Sequence, residues 1–155
     1  SVVEAVAEEY PDAWLFAGVG RLAVDMAGWR ASLREAEQSL AIARRVDSET
    51  PLYFADLSVY RLLLQLEGHP ELEAFTRDVL GALLEYEGSA ALLATLAAFF
   101  EHNGNISQTA EALYVHRNTL LYRMERIAEI TKLDLKNPET RLALRLALKA
   151  LRLLR

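Results

Sequence analysis

The sequence has no cysteine and only three histidines among its 155 residues. Without cysteine the chain has no disulfide bonds, no thiolate nucleophile and no cysteine-ligated metal site. The histidines, His69, His102 and His116, are widely separated, and neither paired carboxylates nor a nucleophilic serine accompany them in a recognisable pattern. We therefore expect no metal site, no cofactor and no enzymatic activity.

Long apolar runs are also absent. No run reaches the roughly 18 residues that a bilayer-spanning helix requires, and the longest, residues 89–100, is typical of a buried helix. The first ten residues include three acidic residues and lack the basic flank of a signal peptide. Together with the lack of cysteine, these features favour a cytoplasmic protein. The chain does not begin with methionine, which suggests that it is part of a longer protein.

The net charge of −5 conceals an uneven distribution. Residues 1–100 contain 7 Lys and Arg against 16 Asp and Glu, giving −9, whereas residues 101–155 contain 10 against 6, giving +4. An acidic front and a basic end indicate two parts with different partners. The basic part is compatible with a polyanionic partner or with an ordinary solvated surface, and charge alone does not decide between them.

The first part of the chain alternates strand-like and helical patterns. Residues 13–20 and 52–55 combine aromatic and branched residues near turn formers, which predicts two short strands. Residues 28–46 have apolar residues every three or four positions, which predicts a helix. A second helix is expected over residues 56–66, with Asp56 as its N-cap.

The loop at residues 67–70 is the expected domain boundary, because its glycine and proline interrupt the helical pattern. It divides the sequence into a domain over residues 1–67 and a domain over residues 68–155. The second domain is expected to be helical throughout. The predicted fold class is therefore mainly α, a helical bundle preceded by a small α/β portion.

The second domain begins with an amphipathic segment over residues 71–87 and a segment over residues 90–103 that is apolar on nearly every side, as in a central core helix. Ser89 is a candidate N-cap for the latter segment. Gly104 can take the left-handed conformation that ends a helix. Beyond it the pattern is helical to the end, apart from a break at residues 136–138.

Asn105 and Gln108 have the spacing of a capping box, in which each side chain bonds the backbone amide of the other residue. A short helix is therefore expected to start near Ile106, and a second near Arg117, over residues 117–131. The apolar residues of the second helix form one inward stripe: Leu120, Met124, Ile127 and Thr131. Two helices joined by a tight turn form a helix-turn-helix, whose second helix would enter the major groove of DNA. A helical bundle with a solvated face is the alternative.

The opposite side of the second helix carries side chains suited to DNA. Arg117 can bind guanine through two hydrogen bonds, Asn118 can pair with adenine, and Leu121 can contact a thymine methyl group. His116 is a further candidate for a base or phosphate contact, with capping of the helix as an equal alternative. Free backbone amides at the start of the first helix favour anions. Six residues are candidates for phosphate contacts: Ser107, Gln108, Thr119, Tyr122, Arg123 and Arg126.

The run "NISQTAEALYVHRNTLLYRMERIAEIT" closely resembles the helix-turn-helix signature of the PucR/CdaR-type bacterial transcription regulators, and the resemblance covers about residues 88–154. It implies sequence-specific binding of duplex DNA by a homodimer or higher homo-oligomer, with a small-molecule effector bound by a region outside this chain. Lys132 stands where the family usually has glycine, and Thr109 replaces a common alanine. Tyr114 stands where the smaller Fis-type helix-turn-helix has glycine, which implies either a left-handed backbone or a different turn.

Residues 1–67 resemble, more loosely, the C-terminal part of the degenerate GGDEF-like domain that such regulators often carry before the helix-turn-helix. The acidic hairpin that gives active cyclases their metal and nucleotide chemistry does not occur in the sequence, so we expect no cyclase activity. The terminal helix has a basic stripe that is either solvated or supports phosphate contacts or a dimer: Arg141, Arg145, Lys149 and Arg152. A protein-interaction or dimerisation module without DNA binding is the alternative function.

Overall fold

A computed structural model describes residues 2–10, 15–48 and 50–154 of the chain. The elements are, in chain order, α1 (Val2–Glu9), β1 (Gly18–Val19), α2 (Met26–Arg45), β2 (Leu52–Tyr53), a 3₁₀ turn (Phe54–Asp56), α3 (Ser58–Gln65), α4 (Pro70–Leu84), α5 (Ser89–Glu101), α6 (Ile106–Ala112), α7 (Arg117–Thr131) and α8 (Pro138–Leu154). The predicted fold class, mainly helical with a small sheet, is confirmed. Contacts divide the chain into two compact units, one formed by residues up to Glu67 with the chain end from Arg152, and one formed by Gly68–Leu151.

The first unit contains a two-stranded parallel sheet. Gly18 lies opposite Leu52, and Val19 lies opposite Tyr53. Each strand has two residues, fewer than predicted over residues 13–20 and 52–55. Residues 13 and 14 lie outside the described part of the chain. The second strand ends early because the backbone turns into the 3₁₀ segment at Phe54.

Helix α2 connects the two strands and packs against β1. It begins two residues earlier than predicted, because the Asp25 carboxylate accepts a hydrogen bond from the amide of Gly28 at 2.7 Å and caps the first turn. Its approach to the sheet depends on glycine. A Cβ atom at Gly18 would overlap the α2 backbone at Ala36 and Leu40, so any larger residue would push the helix away.

The apolar stripe predicted on α2 is buried only toward the C-terminal end of the helix. Ile42 and Ala43 are fully buried. Trp29 and Leu33, in the N-terminal half, are 68% and 62% exposed, and Leu22 in the preceding loop is 94% exposed. The first unit therefore presents an apolar surface that the described residues do not cover.

The start of α3 differs from the prediction. Asp56 lies in the 3₁₀ turn, and α3 begins at Ser58 after Leu57, without a capping side chain among the described residues. The turn interrupts the predicted helix because it buries Phe54 in the core, where the Arg61 guanidinium lies 4.1 Å from the ring centroid. The assignment of Asp56 as an N-cap is therefore wrong.

The second unit is a bundle of helices around one core. Side chains from α4 through α8 meet in it, and the largest of its fully buried ones are Leu80, Leu83, Leu96, Leu120, Ile127 and Leu144. Helix α5 is the central member, as its all-round apolar pattern predicted, with seven buried residues. Its N-cap is Gly88, at φ +86°, rather than the predicted Ser89, which is the first helical residue.

Among the described residues, no single helix is long and apolar enough to cross a bilayer. Helices α4 and α5 reach that length and composition only as a pair, and the chain bends by 119° between them.

Candidate nucleic-acid interface

Helices α5, α6 and α7 all contact one another, and α6 and α7 form the helix-turn-helix. The start of α6 is capped by Asn105, whose Oδ1 accepts hydrogen bonds from the amides of Ser107 and Gln108 at 3.0 and 3.1 Å. The reciprocal half of the predicted capping box is wrong, because the Asn105 amide donates to the carbonyl of His102 at 2.9 Å. The sharp turn at Asn103 and Gly104 brings that carbonyl within reach, and both residues take the left-handed conformation.

The turn between α6 and α7 is a Schellman motif. The Val115 amide donates to the Ala110 carbonyl, and the Tyr114 amide to the Glu111 carbonyl, both at 3.0 Å. This pattern requires a left-handed residue after the helix end, and Tyr114 supplies it with φ +53°. Of the two alternatives for the turn, the left-handed backbone is therefore observed. Its cost for a residue with a Cβ atom is about 1–2 kcal/mol.

The first turn of α7 is capped by His116. Its imidazole Nδ1 accepts a hydrogen bond from the amide of Asn118 at 3.2 Å. An accepting Nδ1 requires the neutral imidazole with its proton on Nε2. Of the two roles predicted for His116, capping is therefore seen directly, and the Nε2–H group remains a donor on an exposed side chain.

The inward stripe of α7 separates buried from exposed residues as predicted. Leu120, Met124 and Ile127 are buried in the core, and the Thr131 hydroxyl donates to the carbonyl of Ile127 at 2.8 Å. The residues exposed on the other side, within the first two turns, are Arg117, Asn118, Thr119, Leu121 and Tyr122. With the exposed N-cap His116, the structure thus brings all four predicted base-reading side chains and two of the predicted phosphate contacts together at the leading end of α7.

Arg123 and Arg126, two predicted phosphate contacts, have partners inside the unit. Arg123 donates to the hydroxyl of Thr95 on α5 at 3.3 Å. Arg126 donates to Tyr86 through Nε and Nη2 at 3.4 Å, and to Glu129 through Nη1 at 2.8 Å. These hydrogen bonds, first to Glu129 and then to Tyr86, raise the pKa of Arg126 above its ordinary value. Both arginines therefore fasten α7 to its own unit.

At the start of α6, exposed side chains rather than free backbone amides are available to bind a phosphate. Ser107 and Gln108 are exposed, but Asn105 already accepts hydrogen bonds from both of their amides. The expectation that free amides there favour anions is therefore wrong for these two groups. Thr109, which replaces a common alanine, is fully buried, and its hydroxyl donates to the carbonyl of Asn105 at 2.6 Å, so its polar atom is satisfied locally.

Two residues of the basic stripe on α8 contact aromatic rings of α5. The Arg141 guanidinium lies 5.2 Å from the ring centroid of Phe99, and that of Arg145 lies 5.8 Å from the centroid of Phe100. Both arginines therefore cover the core beside α5. Across the described ranges, no group of three or more His, Cys, Asp or Glu side chains could hold a metal ion.

Residues 92–150 match the PucR C-terminal helix-turn-helix domain. The chain is 39% identical over 119 residues to the carbohydrate diacid regulator of Escherichia coli (strain K12), covering 76% of this chain and 31% of that protein. It is 43% identical over 93 residues to the purine catabolism regulatory protein of Bacillus subtilis (strain 168), covering 59% of this chain and 18% of that protein. It is also 32% identical over 133 residues to the uncharacterized protein in the pkwA 5′ region of Thermomonospora curvata, covering 79% of this chain and 73% of that protein. The chain thus spans less than a third of the length of the two named regulators.

Proposed function

We propose that the chain belongs to the PucR/CdaR family of transcription regulators, whose C-terminal helix-turn-helix domain matches residues 92–150, and that it binds duplex DNA sequence-specifically with α7 in the major groove. The observation that carries this proposal is the arrangement of α7. Its stripe of buried residues fixes the helix on the core, and its exposed leading end gathers donors and acceptors that match base edges.

The base contacts follow from the chemistry of the exposed side chains. Arg117 donates two hydrogen bonds to O6 and N7 of a guanine, and Asn118 pairs with an adenine through its amide. Leu121, which is 38% exposed, packs against a thymine methyl group. The Nε2–H group of His116 donates to a base or an adjacent phosphate while Nδ1 keeps α7 capped.

The phosphate contacts flank this leading end. Ser107 and Gln108 at the start of α6, with Thr119 and Tyr122 on α7, reach the backbone through exposed side chains. Arg123 and Arg126 already donate to internal partners, such as Thr95 for Arg123, and contact phosphates through their remaining N–H groups.

One recognition helix reads only a few base pairs, so we propose that the protein acts as a homodimer or higher homo-oligomer on repeated half-sites. Its place of action is the cytoplasm, where bacterial DNA lies. Its small-molecule effector binds a region outside this chain, and the chain itself has no catalytic role.

We further propose that the first unit is the C-terminal part of a degenerate GGDEF-like α/β domain. Two features support this: a strand–helix–strand crossover with two strands among the described residues, and the exposed apolar surface at Leu22, Trp29 and Leu33. Additional strands would cover that surface. In a Trp14→Phe background Trp29 is the single tryptophan, and its emission should shift to shorter wavelength in a longer product of the same gene. Unchanged emission would contradict the assignment.

Fluorescence anisotropy with random-sequence duplex DNA tests the DNA-binding proposal. We expect binding whose log K falls linearly with log salt concentration, by about 0.9 for each phosphate neutralised. Flat and weak binding would instead favour the interaction or dimerisation module. Arg34→Ala, which removes one exposed positive charge from α2 in the first unit, is the control for a loss of charge alone.

A further inference from the structure

Tyr114 is the unusual member of a set of helix ends. Among the described residues, the same pair of bonds closes α5, with Asn103 as the left-handed residue. The longer bond of the pair, from the Ser48 amide to the Ala43 carbonyl, closes α2, with Asp47 as the left-handed residue. Asp and Asn tolerate this conformation because their short side chains bond locally, whereas a bulky side chain makes it costly. In the described ranges, Lys132, after α7, is the other long side chain at a positive φ, +56°.

The Tyr114 backbone completes the turn, but its side chain makes no ring contact with the described residues. The side chain is 96% exposed, so its ring is not packed in the core. Within the described part of the chain, its hydroxyl makes no hydrogen bond. An exposed tyrosine in a strained backbone, whose hydroxyl has no hydrogen-bond partner among the described residues, points to a contact outside the chain.

The position of Tyr114 identifies that contact. Its Cα atom is two residues from His116, hence at most about 7 Å from the cap of α7. The major groove is about 12 Å wide, so a side chain as long as tyrosine, placed this close to a helix end that enters the groove, has a phosphate wall within reach. A phenol is a neutral donor that protein–DNA interfaces use on phosphate oxygens.

We propose that the Tyr114 hydroxyl donates a hydrogen bond to a backbone phosphate at the edge of the groove that α7 enters. The left-handed turn then directs an otherwise unsupported ring toward the DNA, and Tyr114 positions α7 without reading bases. This inference rests on the proposed function, because it assumes that α7 enters the groove.

Tyr114→Phe is the decisive variant, since it keeps the ring and the backbone and removes only the hydroxyl. We expect its Kd for duplex DNA, measured by anisotropy, to rise about tenfold, and by the same factor for different sequences, as for one hydrogen bond to a charged acceptor. Its midpoint of thermal unfolding should not change, because the hydroxyl is exposed. Tyr114→Gly should lose at least as much affinity while its midpoint does not fall, since glycine removes the left-handed strain.

Lys132→Gly is the matched control. It relieves the same left-handed backbone strain at the far end of α7, about 20 Å from Arg117. Because this distance is well beyond the Debye length of about 8 Å, the loss of the Lys132 charge is screened from the leading end of the helix. It should leave the Kd unchanged and its midpoint should not fall.

Four outcomes decide the inference. If wild type and Tyr114→Phe bind equally well, the phosphate contact is wrong and the proposed function stands. If Tyr114→Phe loses affinity for one sequence only, a base contact replaces the phosphate contact. If Lys132→Gly weakens binding as much as Tyr114→Gly, the loss reflects turn geometry and the inference is wrong. If wild type itself fails to bind duplex DNA, the proposed function fails and this inference with it.

Discussion

The imidazole Nδ1 of His116 accepts a hydrogen bond from the backbone amide of Asn118, 3.2 Å away, in the first turn of α7. A residue that the sequence places among the base readers therefore also fixes the start of the helix that presents them. Stability and recognition are coupled at this position. Substitutions of His116 must consequently be judged by both properties.

His116→Ala removes the capping acceptor and leaves the Asn118 amide without its partner. We expect the free energy of unfolding to fall by about 1 kcal/mol, the usual value of an N-cap, as measured by urea denaturation. His116→Asn supplies another good capping side chain and should restore that stability. Equal stabilities of His116→Ala and wild type would show that the cap contributes nothing.

Arg117→Ala removes the leading cation of α7 without touching the buried stripe. We expect a loss of about 1–3 kcal/mol in binding to the cognate site and a relaxed preference at one base pair, measured by anisotropy on a panel of single-base variants. The Arg34→Ala control should leave both unchanged. An unaltered binding isotherm for Arg117→Ala would remove this residue from the interface.

Arg126 links α7 to Tyr86, with its guanidinium 5.2 Å from the ring centroid. Because it also pairs with Glu129, Arg126→Ala should lower the midpoint of thermal unfolding by a few degrees. The salt dependence of DNA binding distinguishes the two uses of this residue. A slope flatter by about one unit indicates a phosphate contact, whereas an unchanged slope assigns Arg126 to the fold alone.

Glu35 pairs with Arg21 in the first unit. Its Oε1 atom accepts hydrogen bonds from the Arg21 guanidinium, and its Oε2 atom accepts one from the backbone amide of Arg21 at 2.9 Å. The hydrogen bond from the Arg21 side chain, followed by that from its backbone, lowers the pKa of Glu35 in the folded state. In the unfolded chain a glutamate has a pKa of about 4.3. Between the folded and unfolded pKa of Glu35, the unfolded chain therefore binds more protons, and the stability of the fold rises with pH.

The Glu35–Arg21 pair contributes fully to the free energy of unfolding above the unfolded pKa of Glu35. This contribution is lost as the pH falls through the pKa of Glu35 in the folded state. Glu35→Gln should therefore reduce thermal stability at neutral pH and flatten its decline below about pH 5. Glu37→Gln, an exposed neighbour on α2, is the matched control. A pH profile for Glu35→Gln that parallels wild type would contradict this role.

The features predicted correctly from the sequence depend on local interactions. Asn105 caps a helix because its acceptor lies next to the amides it binds, and the stripe of Leu120, Met124 and Ile127 follows from helical spacing alone. The helix-turn-helix pattern predicts the bend at Tyr114, but the choice between a left-handed backbone and a different turn needs the structure.

The features that the sequence did not reveal depend on residues far apart in the chain. Arg126 and Tyr86 are 40 residues apart, and Arg123 and Thr95 are 28 apart, so no local pattern predicts that these arginines are engaged. The error at Asp56 also reflects tertiary packing. The burial of a neighbouring aromatic ring outweighed the preference of aspartate for a helix start.

Selection of bound sequences from a random duplex pool tests the central claim most directly. With wild-type protein we expect enrichment of a short motif, in repeated half-sites if the protein is an oligomer. With Arg117→Ala the same selection should lose information at one position of that motif. A pool that stays random after successive rounds with the wild type would contradict the assignment of α7 as a sequence-reading helix.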